Sequence, residues 1–372
     1  MAGSVDWKKR LSRLLTVSLS DLNPLKRDEQ YVSIDIGSNA VKMVEVRAGS
    51  GGLHVTAAGS LPMPSSGIQS NMVSDPSAVA EVLRTLVESH GIRGHKAITA
   101  VPGPAVIIKR VTLPTQDAQE LENTIMFEAG NFIPEDLENV NLDYQITDYL
   151  EDGKRMDVLL VAAKKDIVSS YAETVRAAGL SPIVVDVDYF ALENMFELNY
   201  DPESGQVIAL VNVGARYSSI NILKGGRSTF TGDVPVGGRD ITDALVRDLG
   251  VEVDVAERLK AGESVAGIDA EQVSVAMGPA ADTLIEEIHH ALSFFWTAAT
   301  DEAINAVYLS GGAAQMPDLG ERLSQRIEVP VSLADPLARV SVASSLEAAG
   351  LRKHAAEYAV AMGLAVRRPD DK

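Results

Sequence analysis

The sequence contains no cysteine, which excludes disulfides, thiolate nucleophiles and zinc held by thiolates, and suits a reducing compartment. Positive charge is scarce. The chain has 33 Lys and Arg against 52 Asp and Glu, a formal charge of −19 over 372 residues, and such a surface repels phosphate backbones. No nucleic acid is expected as the main ligand. No apolar run approaches the roughly 18–20 residues that cross a bilayer, and the N-terminus lacks the unbroken apolar core of a signal peptide. The chain is therefore expected to stay in the cytosol or to lie on a membrane. What is present, 46% hydrophobic and 23% charged residues, is the composition of a globular protein long enough for two or three domains.

Basic charge gathers at one end. Residues 1–27 carry Lys8, Lys9, Arg10, Arg13, Lys26 and Arg27 against Asp6 and Asp21, which leaves −23 on the remainder. If residues 6–15 are helical, Trp7, Leu11, Leu14 and Leu15 share a stripe beside the basic cluster. Two readings stand: peripheral contact with an anionic membrane surface, or a leader ahead of the first strand.

From residue 30 onward strands alternate with helices, which argues for an α/β protein with parallel or mixed sheets. Short β-rich runs at 31–36 and 40–46 flank the turn Gly37-Ser38-Asn39, an amphipathic helix covers 77–89, and a strand follows at 97–101. The segment 106–187 reads as strand 106–113, helix 117–131, strands 143–150 and 156–163, helix 166–178 and strand 182–187. That β-α-β-β-α-β order predicts an inserted subdomain at 106–186. Asp152-Gly153 suits the positive φ of its hairpin turn. Residues 30–105 with 187–205 form the expected first domain, residues 206–354 the second, and a helix at 355–368 returns to the first. Phe294, Phe295 and Trp296, in a helix read at 282–299, are expected in the core. His289 and His290 are read as ordinary residues of that helix, since neighbours about 100° apart cannot readily share a metal.

The run Val32-Ser33-Ile34-Asp35-Ile36-Gly37-Ser38 recurs in outline as Ala209-Leu210-Val211-Asn212-Val213-Gly214-Ala215, 177 residues later. Each copy is an apolar strand, a polar residue, a glycine turn and a second strand. Glycine lets backbone approach a ligand closely, and amides in a tight turn attract phosphate. Two such turns facing one another would grip a nucleotide from both sides. A third glycine element, Ser310-Gly311-Gly312-Ala313-Ala314, follows the buried strand 306–309, where a flat ring can rest on backbone.

The motifs DIGSNAVK (35–42), NVGARYSS (212–219) and LSGGAA (309–314), in that order, resemble the two phosphate loops and the adenosine loop of the actin-like ATPases, a fold of duplicated ribonuclease-H-like domains. Within that superfamily the chain is similar to the PilM family of type IV pilus assembly, relatives of the cell-division protein FtsA. The stretches YVSIDIGSNAVKMVEV (31–46), FEAGNFIPEDLENVNLDYQI (127–146), GLSPIVVDVDYFALEN (179–194), VGGRDITDAL (236–245), AERLK (256–260) and YAVAMGLAVR (358–367) carry the likeness. It implies ATP or ADP with Mg2+ as cofactors. Asp35 would hold the metal through water, Gly37, Ser38 and Asn39 would offer amides to the phosphates, and Lys42 would neutralise them. Gly214 and Ala215 would form the opposing loop. Gly237 and Gly238 would begin a helix facing the ribose and phosphates, Glu257 and Lys260 would border the nucleoside, and Gly311, Gly312 and Ala313 would lie under adenine.

One position departs from the superfamily pattern: Asn212 stands where a second carboxylate is usual, so hydrolysis is expected to be slow or absent, and no catalytic residue is assigned. Asp186 and Asp188 either cap the helix 188–199 or supply the missing carboxylate. The likeness further implies a cytoplasmic scaffold, peripheral at the inner membrane. It would receive the cytoplasmic N-terminal tail of PilN in a groove between the faces of residues 31–60 and 106–187, assemble into a homo-oligomeric ring, and link to the pilus motor ATPases. An FtsA-like filament-forming ATPase and an actin-fold small-molecule kinase are the alternatives.

Overall fold

A computed structural model describes residues 31–49, 52–203, 205–298 and 303–368; the basic segment 1–27 and both readings of it lie outside them. The chain opens with β1 (Tyr31–Ile36), β2 (Ala40–Gly49) and β3 (Gly52–Pro62), then a small hairpin of β4 (Ile68–Gln69) and β5 (Met72–Val73). Helix α1 (Pro76–Ser89) starts where the Asp75 carboxylate accepts the Ala78 amide at 3.0 Å and Pro76 opens the first turn, both favourable at a helix N-terminus. It buries Val79, Ala80, Leu83 and Leu86. Strand β6 (Lys96–Val101) follows and pairs parallel with β1. Such strands are covered on both faces, and β1 accordingly buries Val32, Ile34 and Ile36 while its one buried hydroxyl, on Ser33, donates to the Val44 carbonyl.

The insertion then leaves the first domain as β7 (Val106–Pro114), α2 (Ala118–Phe132), β8 (Val140–Leu150) and β9 (Arg155–Lys164). Its three strands order as β7-β9-β8, all antiparallel. The hairpin between the last two turns through Glu151, Asp152 and Gly153, all at positive φ. Leu121 and Ile125 of α2 pack with Met156, Val158 and Leu160 of the middle strand.

Helix α3 (Lys165–Ala177) and strand β10 (Ser181–Val187), read from the sequence as the close of the inserted unit, divide from it in space. Strand β10 pairs with β6, not with the three-stranded sheet, and α3 buries Ile167, Tyr171 and Val175 in the first-domain core. Linear order identifies elements but not the sheet a strand joins; β10 takes the open parallel edge of β6. In chain order β6 leads into the insertion, and α3 and β10 follow it.

Helix α4 (Asp188–Asn199) passes to the second domain, where β11 (Val207–Val213), β12 (Ser218–Lys224) and β13 (Arg227–Val234) form a meander. Helices α5 (Gly238–Leu249), α6 (Val253–Lys260) and α7 (Ala270–Ala298) follow, then β14 (Ala306–Ser310), α8 (Leu319–Ile327) and β15 (Val331–Leu333). Helix α7 begins twelve residues before the expected start at 282 and carries Pro279 inside it. Phe295 is buried there as expected, but Phe294 is 65% exposed, because adjacent helix positions point to different faces. The side chain of Trp296 lies outside the described set.

The two sheets share one plan. The first runs β10-β6-β1-β2-β3, the second β15-β14-β11-β12-β13, with parallel and antiparallel pairs in the same places. Strand β16 (Ser341–Val342) adds to the free edge of β3, and α9 (Ala359–Ala365) packs against α4 in the seam between domains. The return to the first domain thus starts near residue 341. Arg110 donates to the Ser228 carbonyl at 2.6 Å and Arg227 to that of Thr147, tying the insertion to β13.

Candidate functional site

The repeated motifs are two copies of one hairpin. In the first, the Gly37 amide donates to the Ala40 carbonyl at 3.1 Å; in the second, 177 residues on, the Gly214 amide donates to the Tyr217 carbonyl at 3.1 Å. A Cβ at Gly214 would lie 2.7 Å from that carbonyl oxygen, so the turn closes only without a side chain. Asp35 and Lys42 are direct cross-strand partners, and Lys42 Nζ donates to Asp35 Oδ2 at 3.1 Å. The seven-residue spacing is therefore the span of the hairpin. The amides of Gly37 and Gly214 are used within their turns, which leaves the amides of Ser38, Asn39 and Ala215 as the loop groups to consider for an anion.

The turns face one another across a cleft of about 740 Å³ that gathers fourteen of the fifteen nucleotide candidates; Gly237 is the exception. Gly237 instead packs beneath the second turn, where its Cβ would sit 2.6 Å from the Ala215 carbonyl oxygen. The first amides of α5, on Gly238 and Arg239, donate to the carbonyls of Gly214 and Ala215 at 2.8 Å. Helix α5 thus buttresses the loop and does not point bare amides at the cleft. Lys260 is nearly buried, and Nζ donates to Glu257, Thr242 Oγ1 and the Gly238 carbonyl at 2.7, 2.8 and 3.2 Å. All three protons are accounted for, so the lysine braces α6 against α5 with its stem along the cleft wall.

Gly311, at φ 92°, brings the third element onto the second hairpin: a Cβ there would lie 2.5 Å from the Val213 carbonyl oxygen. Its amide donates to the Ala356 carbonyl at 2.8 Å. Asn212 lines the cleft and accepts from Ser310 Oγ at 3.3 Å. A cradle that any side chain would fill, a lysine and a volume within the range of small-molecule sites fit a nucleotide.

Asp186 and Asp188 do not cap α4; the cap position is Val187 and makes no side-chain bond. Asp186 is buried and accepts from Arg367 Nε at 2.8 Å. Asp188 lines the cleft at 6% exposure; Oδ2 accepts from Tyr217 Oη at 3.2 Å, and Oδ1 has no hydrogen-bond partner among the described residues. Burial, with the charges of Asp233 and Asp35 adding, pushes its carboxyl up to about 7 against the pull of the Gly103 amide and Tyr217 hydroxyl. Asp233, on the opposite wall, is pushed up to about 6 by enclosure in the cleft, with the Tyr189 hydroxyl opposing. Sequence reasoning missed Asp233, along with Arg216, whose Nη1 reaches across to the Ile68 carbonyl at 3.2 Å. No spacing rule marks either; only strand register and loop docking do. His289 and His290 lie with Glu286 on α7, their ligand atoms within 4.8 Å. Arg326 holds Glu286 at 2.6 and 2.9 Å and stands 3.5 Å from His289 Nε2, so a guanidinium already occupies that acid.

Two sheets of one plan, closed on a cleft between repeated glycine hairpins, define the actin-like ATPase fold. A family model described as type IV pilus assembly protein PilM matches residues 33–369. The chain belongs to that family. The structure of a PilM-PilN type IV pilus biogenesis complex is similar at 27% identity and TM-score 0.80, over 92% of this chain and 99% of that one. The ethanolamine utilization protein EutJ from Carboxydothermus hydrogenoformans shares the fold at 15% identity and TM-score 0.56, over 92% and 91%. The cell division protein FtsA of Bacillus subtilis is 22% identical over 260 residues, 63% of this chain and 58% of that relative. The chain thus spans under two thirds of the curated relatives it matches.

Proposed function

We propose that this PilM-family protein is a nucleotide-binding scaffold of the type IV pilus machine, with ATP or ADP and Mg2+ in the cleft between its halves. The observation that carries this is the pair of hairpins: equal glycine hydrogen bonds 177 residues apart, facing each other beside Lys42. ATP supplies a polyphosphate chain whose charge needs a cation, a lysine and oriented amides together. Lys42 meets that charge from the first hairpin, and Ser38, Asn39 and Ala215 bring amides from both sides. Asp35 orders the water around the metal. Gly311, Gly312 and Ala313 offer a flat floor to the base. Asn212 brings no negative charge to the second hairpin, so turnover is slow or absent and the nucleotide acts by setting the angle between halves.

The similarity to a PilM-PilN complex supports recruitment of the cytoplasmic N-terminal tail of a PilN-type partner between the first domain and the insertion. That contact would hold the protein at the cytoplasmic face of the inner membrane; no helix among the described residues is long and apolar enough to cross one. A homo-oligomeric ring engaging the motor ATPases completes the reading.

Calorimetry of the full chain with ATP or ADP and Mg2+ tests the site. Lys42→Ala is expected to weaken nucleotide binding about 10- to 100-fold, the worth of about 1.5–3 kcal/mol for a charged hydrogen bond. A synthetic PilN-type tail titrated with and without nucleotide tests the partner. Absence of heat with either nucleotide overturns the cleft assignment.

A further inference from the structure

Arg216 follows Ala215 in the turn of the second glycine hairpin, is exposed, and lines the cleft. Its Nη1 donates to the Ile68 carbonyl at 3.2 Å, the one hydrogen bond among the described residues that joins the β4–β5 hairpin to the second half. The small hairpin is otherwise tied to the first half. The Met63 amide, just after β3, donates to the Asn39 carbonyl in the first glycine turn at 2.9 Å, and the Val73 amide donates to Ser170 Oγ of α3 at 3.2 Å. Its own turn, Ser70-Asn71, has φ of 48° and 63°, the left-handed pair that a two-residue hairpin requires. Both residues line the cleft together with Ile68. The hairpin is thus a piece of the cleft wall, and Arg216 straps it from the opposite side.

The charges of the cleft give the guanidinium a second use. Lys42 is paired with Asp35, and Lys260 spends its protons on Glu257, Thr242 and the Gly238 carbonyl. Arg216 has no carboxylate partner among the described residues. The Ile68 carbonyl takes one of its five N–H donors, which leaves the edge formed by Nε and Nη2 for a planar, two-bond grip on an oxyanion. We propose that Arg216 is the clamp of the nucleotide site: the free edge binds the polyphosphate while Nη1 keeps the β4–β5 hairpin, so that an occupied cleft is felt at the hairpin. This inference rests on the nucleotide reading of the cleft. Lys42 from the first glycine hairpin and Arg216 from the second would meet the phosphate charge from opposite walls, the latter beside the Ala215 amide.

The test is hydrogen exchange of residues 64–75 in the full chain, with and without saturating ATP and Mg2+, beside calorimetry of ATP binding. In the parent, ATP should slow exchange at the Gly67, Val73 and Ser74 amides about tenfold or more, the worth of one charged hydrogen bond. Arg216→Ala should bind ATP about tenfold more weakly and, at saturating ATP, show no slowing at the hairpin. Arg216→Lys, a charge without the fork, should recover part of the affinity but not the slowing. Circular dichroism confirms the fold of each variant. An unslowed hairpin in the parent, slowing retained in Arg216→Ala, or an ATP affinity in that variant within about twofold of the parent each overturns the proposal. The two readings fail separately: a parent that gives no heat with ATP refutes the cleft assignment itself, whereas a chain that binds ATP equally well without Arg216 refutes only the clamp.

Discussion

Gly363 sits where α9 crosses α4, and a Cβ placed on it would lie 1.7 Å from the Ala191 carbonyl oxygen. Ordinary contact begins near 3.4 Å, so Gly363→Ala must drive the two helices apart by roughly 1.7 Å. No flexible side chain can yield, because the obstacle is backbone. Leu192, Met195, Phe196, Val360, Met362 and Leu364 fill the same seam at 6% exposure or less, so separation also strips their packing. Overpacking of this kind costs about 3 kcal/mol or more, and at about 1.3 °C per kcal/mol for 372 residues the melting temperature should fall by roughly 4 °C or more. Scanning calorimetry of the full chain reads it. Gly278→Ala is the control: it lies inside α7 with nothing within 4 Å of the added carbon, and should stabilise by about 0.5–1 kcal/mol. A Gly363→Ala protein melting within about 1 °C of the parent refutes the reasoning.

Asp188 keeps its proton to about pH 7 in the fold but only to about 3.8 when unperturbed. The folded state therefore binds the extra proton between those limits, and stability should fall as pH rises from about 4 to 7, by up to roughly 4 kcal/mol. Asp188→Asn should flatten that slope in melting curves at pH 5 and 7.5; an unchanged slope refutes the assignment. Arg367→Ala removes the guanidinium from the buried Asp186 carboxylate, which keeps the Val187 amide, and should cost about 3 kcal/mol, with Asp186→Asn in the same chain restoring part of it; strictly additive losses would show the pair is not coupled. Asn212→Asp restores a negative charge to the second hairpin and should raise Mg2+-dependent phosphate release about tenfold. Rapid turnover in the parent would remove the basis for that expectation.

Much of the fold was legible because it rests on local patterns. Helix α4 falls on the residues read from the sequence, 188–199, and the Asp152-Gly153 hairpin has the predicted backbone signs. The Asp35 and Lys42 pairing follows from the turn between them, since an antiparallel hairpin fixes its own register. What sequence order does not carry is lateral adjacency. Strand β10 looks like a continuation of the insertion until its pairing with β6 is known. Asp233 is one acid among 52 until two rows of register bring it level with Asn212. The two facing turns announced themselves through glycine, whereas Asp233 is an ordinary residue made notable only by what lies opposite.

The seam has a consequence for the order in which the protein is made. The first domain begins at β1, yet its sheet is extended by β16 and its covering layer is completed by α9, roughly three hundred residues later in synthesis. A nascent chain at residue 340 holds both glycine hairpins but lacks Lys353, His354, Glu357 and Val360 of the cleft wall, and Val44, Ile98 and Leu192, with Ile208 and Leu210 of the second half, lack the cover of α9. Exposed apolar surface of that kind is prone to aggregation. Closure of both halves therefore awaits the segment 341–365, which is made after the two glycine hairpins.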